Sequence, residues 1–256
     1  MRSTVAFIKK ELNEQIRSGR LLITLALFIM FGIMNPAIAK MTPWLMDIFS
    51  DAFAEIGIIV TEVKVSAMDS WTQFYKNIPL ALIIFVLLQG MIFTKEYDTG
   101  TLILTLTRGL SRYKVVISKA GMLVSVWSVG YWLCAAITYL YNSFFWDNKV
   151  AESLGLSLLC WWLFGIFIIA LLTLFSTVFP SIPGVLIGTG AVTLACYVIA
   201  FIPKTNKYLP TMLTGGTSLI YGLTEAKEYI PALIITSIAS ALFFAISIPI
   251  FNKRRL

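Results

Sequence analysis

Between Ser153 and Pro203 the chain runs for 51 residues without an Asp, Glu, Lys or Arg. A helix crosses the hydrocarbon core of a bilayer in about 20 residues, so this run is long enough for two crossings. Pro180-Ser-Ile-Pro-Gly184 divides it, because proline removes a helical donor and Pro with Gly opens a turn. Four further charge-free runs follow the same logic: Leu21–Ala39, Asn77–Thr94, Ala120–Trp146 and Tyr229–Asn252. Six spans are therefore predicted, near 21–39, 77–94, 120–141, 153–179, 184–203 and 230–251, in one transmembrane domain covering 1–256. The fold class is an all-α polytopic membrane protein. Composition agrees: 13% of residues are charged, against roughly a quarter in soluble domains, and the mean hydropathy is +0.85.

The formal net charge of +7 invites a nucleic-acid reading, but its distribution removes the need for one. With both termini inside, the inner segments hold 13 of the 20 lysines and arginines and only 4 of the 13 acids. That is the positive-inside pattern, and it predicts a multi-pass membrane protein with both termini cytoplasmic. The bilayer, not nucleic acid, is the implied partner.

Outside the spans, Val5, Ile8, Leu12 and Ile16 recur at helical spacing among Lys9, Lys10, Glu11, Glu14 and Arg17. This predicts an amphipathic helix over 1–20 lying in the inner interface, lysines toward anionic headgroups. Ala37-Ile-Ala39 imitates a signal-peptidase site, yet the apolar run before it is 19 residues, longer than the usual signal core, so the first span is expected to be permanent. In the outer loop 40–76, Asp47, Asp51 and Glu55 recur four apart as the solvated face of an amphipathic helix. Their spacing does not suit an EF-hand. Residues 208–224 are apolar but short and broken by Pro210, Gly215 and Gly216, which predicts a re-entrant or outer-surface hairpin before the sixth span. The aromatics near the outer end of the third span, from Tyr139 to Trp146, suit an interfacial belt, while Trp161 and Trp162 lie deeper. Gly184, Gly188 and Gly190 would permit close helix approach, although Gly184 also suits the turn.

Several function classes are disfavoured. The chain has no histidine, the commonest metal ligand and general base, so zinc proteolysis and Ser-His-Asp chemistry are improbable. Cys134, Cys160 and Cys196 fall in three different spans as small buried hydrophobes, without a CxxC site. The spans as drawn carry no charged residue, which disfavours an ion-coupled carrier. There is no GxxxxGK[ST] phosphate loop either, so ATP-driven work needs a separate ATPase.

Lys95–Lys119, KEYDTGTLILTLTRGLSRYKVVISK, is a charged island between the second and third spans. Asp98 or Thr99 can cap a short helix and Gly109 can close it in the left-handed conformation. The order of residues resembles the cytoplasmic loop of the membrane subunit of type-2 ABC transporters, which reads Glu-x-x-x-Gly-Thr-Leu, then Pro-x-Ser-Arg, then Gly-Lys. Glu96, Gly100, Thr101, Leu102, Ser111, Arg112 and Lys119 match; the family's proline is Gly109 here and its last glycine is Ser118. The broken segment before the last span and the Phe251-to-basic ending also resemble that family.

The resemblance implies an exporter permease working as a dimer, each copy held by one ABC ATPase that carries the ATP and Mg²⁺. No cofactor is implied on this chain, and it is not an enzyme by itself. A coupling helix over Thr99–Thr107 would dock on the ATPase, with Glu96, Asp98, Thr99, Gly100, Thr101, Leu102, Leu104, Arg108, Ser111 and Arg112 as the coupling residues. Glu96 and Arg112 are either polar anchors or plain surface charges. Charge-free spans suit amphipathic or hydrophobic cargo, a peptide or drug before a charged solute. The alternatives are a non-transporting immunity or scaffold protein and, third, a membrane enzyme without a visible acid–base pair.

Overall fold

Backbone facing lipid finds no water for its amides, so each apolar run closes its hydrogen bonds within a helix. The structure, a computed structural model, describes residues 2–49, 64–98, 100, 107, 111–202 and 204–254, with backbone alone for 2–5 and 95–98. Its helices are α1 Arg2–Arg17, α2 Arg20–Ile48, α3 Ala67–Gln89, α4 Met91–Asp98, α5 Arg112–Phe145, α6 Leu154–Val178, α7 Ile182–Ala200, α8 Gly216–Ile220 and α9 Ile230–Lys253. Among the described residues six stretches are long and apolar enough to cross a membrane: α2, α3 continued into α4, α5, α6, α7 and α9 with the turn before it.

The helices overrun the charge-free runs that foreshadow them. α2 has 29 residues, about 43 Å at 1.5 Å per residue, and passes through Pro36, Lys40 and Pro43 instead of stopping at Ala39. α5 has 34 residues and opens at Arg112, eight positions before the predicted span. A charge marks where the hydrocarbon ends; it does not end a helix, which stops at a cap or a turn. Ser66 supplies such a cap for α3: its hydroxyl accepts from the Met68 amide at 3.2 Å, and Asp69 accepts from the Ser66 amide at 2.8 Å. Between α1 and α2 the chain turns at Gly19, whose φ of +71° is open to glycine at little cost.

The spans form two groups, α2 with α3 and α5, and α6 with α7 and α9, joined where α5 meets α6 and α9. α6 is apolar all round and is the most buried span, as a helix at the centre of a bundle should be. The core is aromatic. Trp127 of α5 packs edge-on to Phe28 of α2 and Phe85 of α3, with ring centroids 5.7 and 5.6 Å apart, and lies 5.4 Å from Tyr131. The polar ends are satisfied across the bundle: Trp127 Nε1 donates to Trp162 O at 3.1 Å and Tyr131 Oη to Leu158 O at 2.7 Å. Tyr139, Tyr141 and Phe144 are exposed, as a lipid-facing belt requires. Trp161 and Trp162 turn to neighbours, Trp161 Nε1 donating to Thr214 O and Trp162 Nε1 to Ser128 Oγ.

At the end of the bundle away from the termini, the broken segment around Pro210 packs inward. Leu213, Leu219 and Ile220 are fully buried. Gly215 O and Gly216 O accept from Tyr229 Oη at 2.9 Å and Ser157 Oγ at 3.1 Å. This is how non-helical backbone is tolerated beside a membrane core: its carbonyls face protein donors. The outer-loop helix expected to carry Asp51 and Glu55 falls outside the described residues. Cys134 and Cys160 are buried free thiols, and Cys196 is half-buried.

Close approach of helices rests on Gly188, as expected, and on Gly165, which was not. A Cβ on Gly165 of α6 would stand 2.2 Å from the Trp127 ring, and one on Gly188 2.7 Å from Phe175, whereas one on Gly190 would meet nothing within 4 Å. Gly184 serves the start of α7, its amide donating to Ser181 Oγ at 3.4 Å. We expect Gly165→Ala to destabilise the purified protein by about 1–3 kcal/mol through overpacking. Gly190→Ala should leave the detergent thermal-unfolding midpoint unchanged or slightly raised; equal losses for both would show that the α5–α6 seam relaxes freely.

Candidate coupling site

The face of the bundle that carries both termini is built on a docked α1. Phe7, Glu11 and Gln15, spaced four apart, are buried against the bundle. Ile8, Leu12 and Ile16, one position on and so about 100° around the helix, are exposed. Two adjacent stripes therefore do different work. The apolar one is free to face lipid, as its periodicity predicts, and the mixed one holds α1 to α5 and α2.

At the centre of the docked stripe lies a buried ion pair. Lys119 of α5 is 1% exposed and Glu11 of α1 is 3% exposed. Lys119 Nζ donates to Glu11 Oε2 at 3.0 Å and to the Ile92 carbonyl at 2.9 Å. The Phe7 and Phe93 rings stand 5.9 and 5.6 Å from the ammonium, close enough for their π faces to add to its stabilisation. One lysine thus ties α1, α4 and α5 together. One turn along, Gln15 Nε2 donates to Gln89 Oε1 of α3 at 2.7 Å. Arg20 reaches Glu14 at 3.7 Å, and Lys10 reaches Glu11 at 3.3 Å at the rim.

Arg112 opens α5 and joins it to the far side of the same face. Its Nη1 donates to Phe251 O at 3.3 Å, Asn252 O at 3.2 Å and Arg254 O, closing the end of α9. Arg254 in turn donates to Ser176 O and Thr177 O at 3.3 and 3.0 Å, closing the end of α6. Both guanidiniums sit on the last carbonyls of a helix, which lack intrahelical donors and carry the negative end of its dipole. Arg112 is thus bonded to the end of α9.

The remaining island residues divide as follows. Glu96 and Asp98 lie in the last turn of α4, so the helix continues past the expected end at Thr94 after a break at Gly90; their side chains are outside the described residues. Gly100 has φ +64°, the left-handed turn that Thr-Gly-Thr suggests. Ser111 is the extended residue before α5, and its side chain makes no cap bond. Thr99, Thr101, Leu102, Leu104 and Arg108 lie outside the described residues, and so does most of the expected coupling helix; Thr107 is helical.

Sequence reasoning met Glu11 only as a charge flanking the apolar stripe and Lys119 only as a match to the motif, and it did not foresee the partners of Gln15, Gln89 and Arg254. A usable signal was present. A lysine one residue before a 27-residue charge-free run needs a partner if its helix begins earlier. Glu11, four residues after Phe7, is the acid that α1 offers on a face distinct from its apolar stripe.

The family model described as ABC-2 family transporter protein matches residues 5–203, a stretch that includes α1 and every span except α9. No curated protein and no solved structure matches the chain.

Replacing Lys119 with Met leaves the buried Glu11 carboxylate with only Lys10 at the rim to meet its charge, and breaking a buried pair costs up to about 3–5 kcal/mol. We expect Lys119→Met to lower the unfolding midpoint and to expose Lys9 and Lys10 to trypsin. The double variant Glu11→Leu/Lys119→Met should recover most of the loss. Equal damage in the single and double variants would mean that shape, not charge, holds α1.

Proposed function

The chain belongs to the ABC-2 transporter family and is a permease subunit of an ABC transporter, and from that premise we propose that it exports amphipathic cargo under the drive of a separate ATPase. Family membership implies association with an ABC ATPase and with the membrane; the permease is the transport component, and catalysis is not its own work. The finer reading is that the ATPase docks on the face bearing the termini, which is then cytoplasmic, and that two copies of the permease stand over two ATPases. ATP and Mg²⁺ bind on the ATPase.

One observation carries this reading. The described residues that flank the 99–110 segment are wired to most of the bundle. Arg112 holds the ends of α9 and, through Arg254, α6; Lys119 holds α1 and the α4 backbone. A displacement of the segment by a moving ATPase is therefore delivered to several spans at once, since hydrogen-bonded helix ends shift together. The segment after the left-handed turn at Gly100, through Thr107, serves as the coupling helix, with Leu102 and Leu104 as its apolar contacts and Glu96, Asp98 and Arg108 as its polar rim.

The cargo path lies between two copies. α7 is the least buried span, with Ile187, Leu194 and Val198 exposed, and between it, α3 and α6 runs a groove of about 420 Å³. Its walls are mainly Leu, Ile, Val and Phe, with the hydroxyls of Thr189, Thr193 and Tyr197 on one side. Such a lining suits an amphipathic peptide or drug better than a charged solute.

The test is co-purification with a candidate ABC ATPase from a neighbouring reading frame. Wild type should retain it, while Gly100→Pro and the Leu102→Asp/Leu104→Asp double variant should lose it at normal expression. Arg112→Ala should keep the ATPase but lower cargo-stimulated ATP hydrolysis several-fold. Retention by the loop variants would move the dock elsewhere; absence of any ATPase from wild type would favour a non-transporting immunity or scaffold role.

A further inference from the structure

At the end of the bundle away from the termini, α2 and α5 diverge and leave a groove of about 520 Å³. Ile33, Ala37, Met41 and Trp44 of α2 form one wall, at the three- and four-residue spacing of a single helix face, and Tyr141 and Phe145 of α5 form the other. From Ile33 to Lys40 the wall rises about 10 Å at 1.5 Å per residue, about two thirds of one leaflet of a ~30 Å hydrocarbon core. The groove thus enters one leaflet below Lys40, and Trp44, 57% exposed, and Tyr141 stand at its upper end, where interfacial aromatics belong.

Lys40 lies on this surface near the same end. Its ammonium sits 3.6 Å from the centroid of the Phe145 ring, a contact that fixes its direction. Among the described residues no carboxylate pairs with it. A cation at headgroup height, over an apolar channel about 10 Å deep, complements one kind of molecule. We infer that this groove is a binding site for an anionic phospholipid, its phosphate on Lys40 and one acyl chain along Ala37 and Ile33.

A second protein copy fits the chemistry less well. It would bury the ammonium and require a carboxylate opposite it, because an unpaired buried charge is strongly unfavourable. A phospholipid brings its own anion and keeps it in the wet headgroup layer. The site is remote from the coupling face, so it stands or falls independently of the ATPase assignment.

The experiment is native mass spectrometry of the purified full chain, equilibrated in detergent with equal amounts of phosphatidylglycerol and phosphatidylcholine of identical acyl chains. Wild type should retain phosphatidylglycerol over phosphatidylcholine by about fivefold, the preference that one well-placed lysine confers near an anionic surface. Lys40→Gln should bring the ratio to parity and Lys40→Arg should preserve it. Ala37→Trp, which fills the groove, should reduce retention of both lipids. Lys149→Gln, at another exposed lysine on the same face, should leave the ratio intact. A preference that survives in Lys40→Gln overturns the assignment, as does its loss in Lys149→Gln. Displacement of the lipid by glycerol phosphate would show that the acyl channel contributes nothing. Crosslinking of two copies through Ala37→Cys would give the groove to a second copy instead.

Discussion

A lysine at the end of an apolar helix is tolerable when buried only if its charge is met. Lys119 is met twice, by the Glu11 carboxylate and by the Ile92 carbonyl. Removing an ammonium from water costs several kcal/mol before any partner is counted, so the arrangement holds only while α1 stays docked and α4 keeps its place beside α5. α1 is thereby part of the bundle and not merely a float on the membrane. Its apolar stripe still faces outward, so the one helix is both a wall of the protein and a surface for lipid.

The rest of the face repeats this device with arginine. Helix ends present carbonyls that have no partner within the helix, and a membrane protein whose spans end in the same layer has several of them close together. Arg112 and Arg254 each take the ends of a neighbouring span. The result is a chain of contacts from the start of α5 to the ends of α9 and α6. At the opposite end of the bundle Asn77 donates to Asn35 at 2.8 Å, Tyr229 meets Gly215, and Asp69 closes the start of α3.

Much of this architecture was legible before any coordinates. Six crossings followed from charge-free runs, because hydrocarbon excludes both unpaired backbone and unpaired charge. α1 announced itself through Ile8, Leu12 and Ile16, and the turn at Gly100 through its residue type. The boundaries were less visible: Lys40 was read as an edge, yet α2 continues to Ile48 because a lysine can reach the interface from within a helix. Trp127 illustrates a different gap. Aromatics at interfaces and aromatics in cores have the same composition, and only the approach of Gly165 shows that Trp127 belongs to the core.

Class, span number and the charge asymmetry between the two faces follow from local composition, since the free energy of placing each residue in hydrocarbon is nearly additive along the chain. Pairing is not additive in that way. Whether Glu11 meets lipid headgroups or Lys119, whether Arg112 is a surface charge or a clasp on α9, and which glycine admits a neighbouring ring depend on residues up to 142 positions away in the chain. Those choices were made only when the helices packed, because an ion pair or a ring contact stabilises only at distances that the fold alone can bring about.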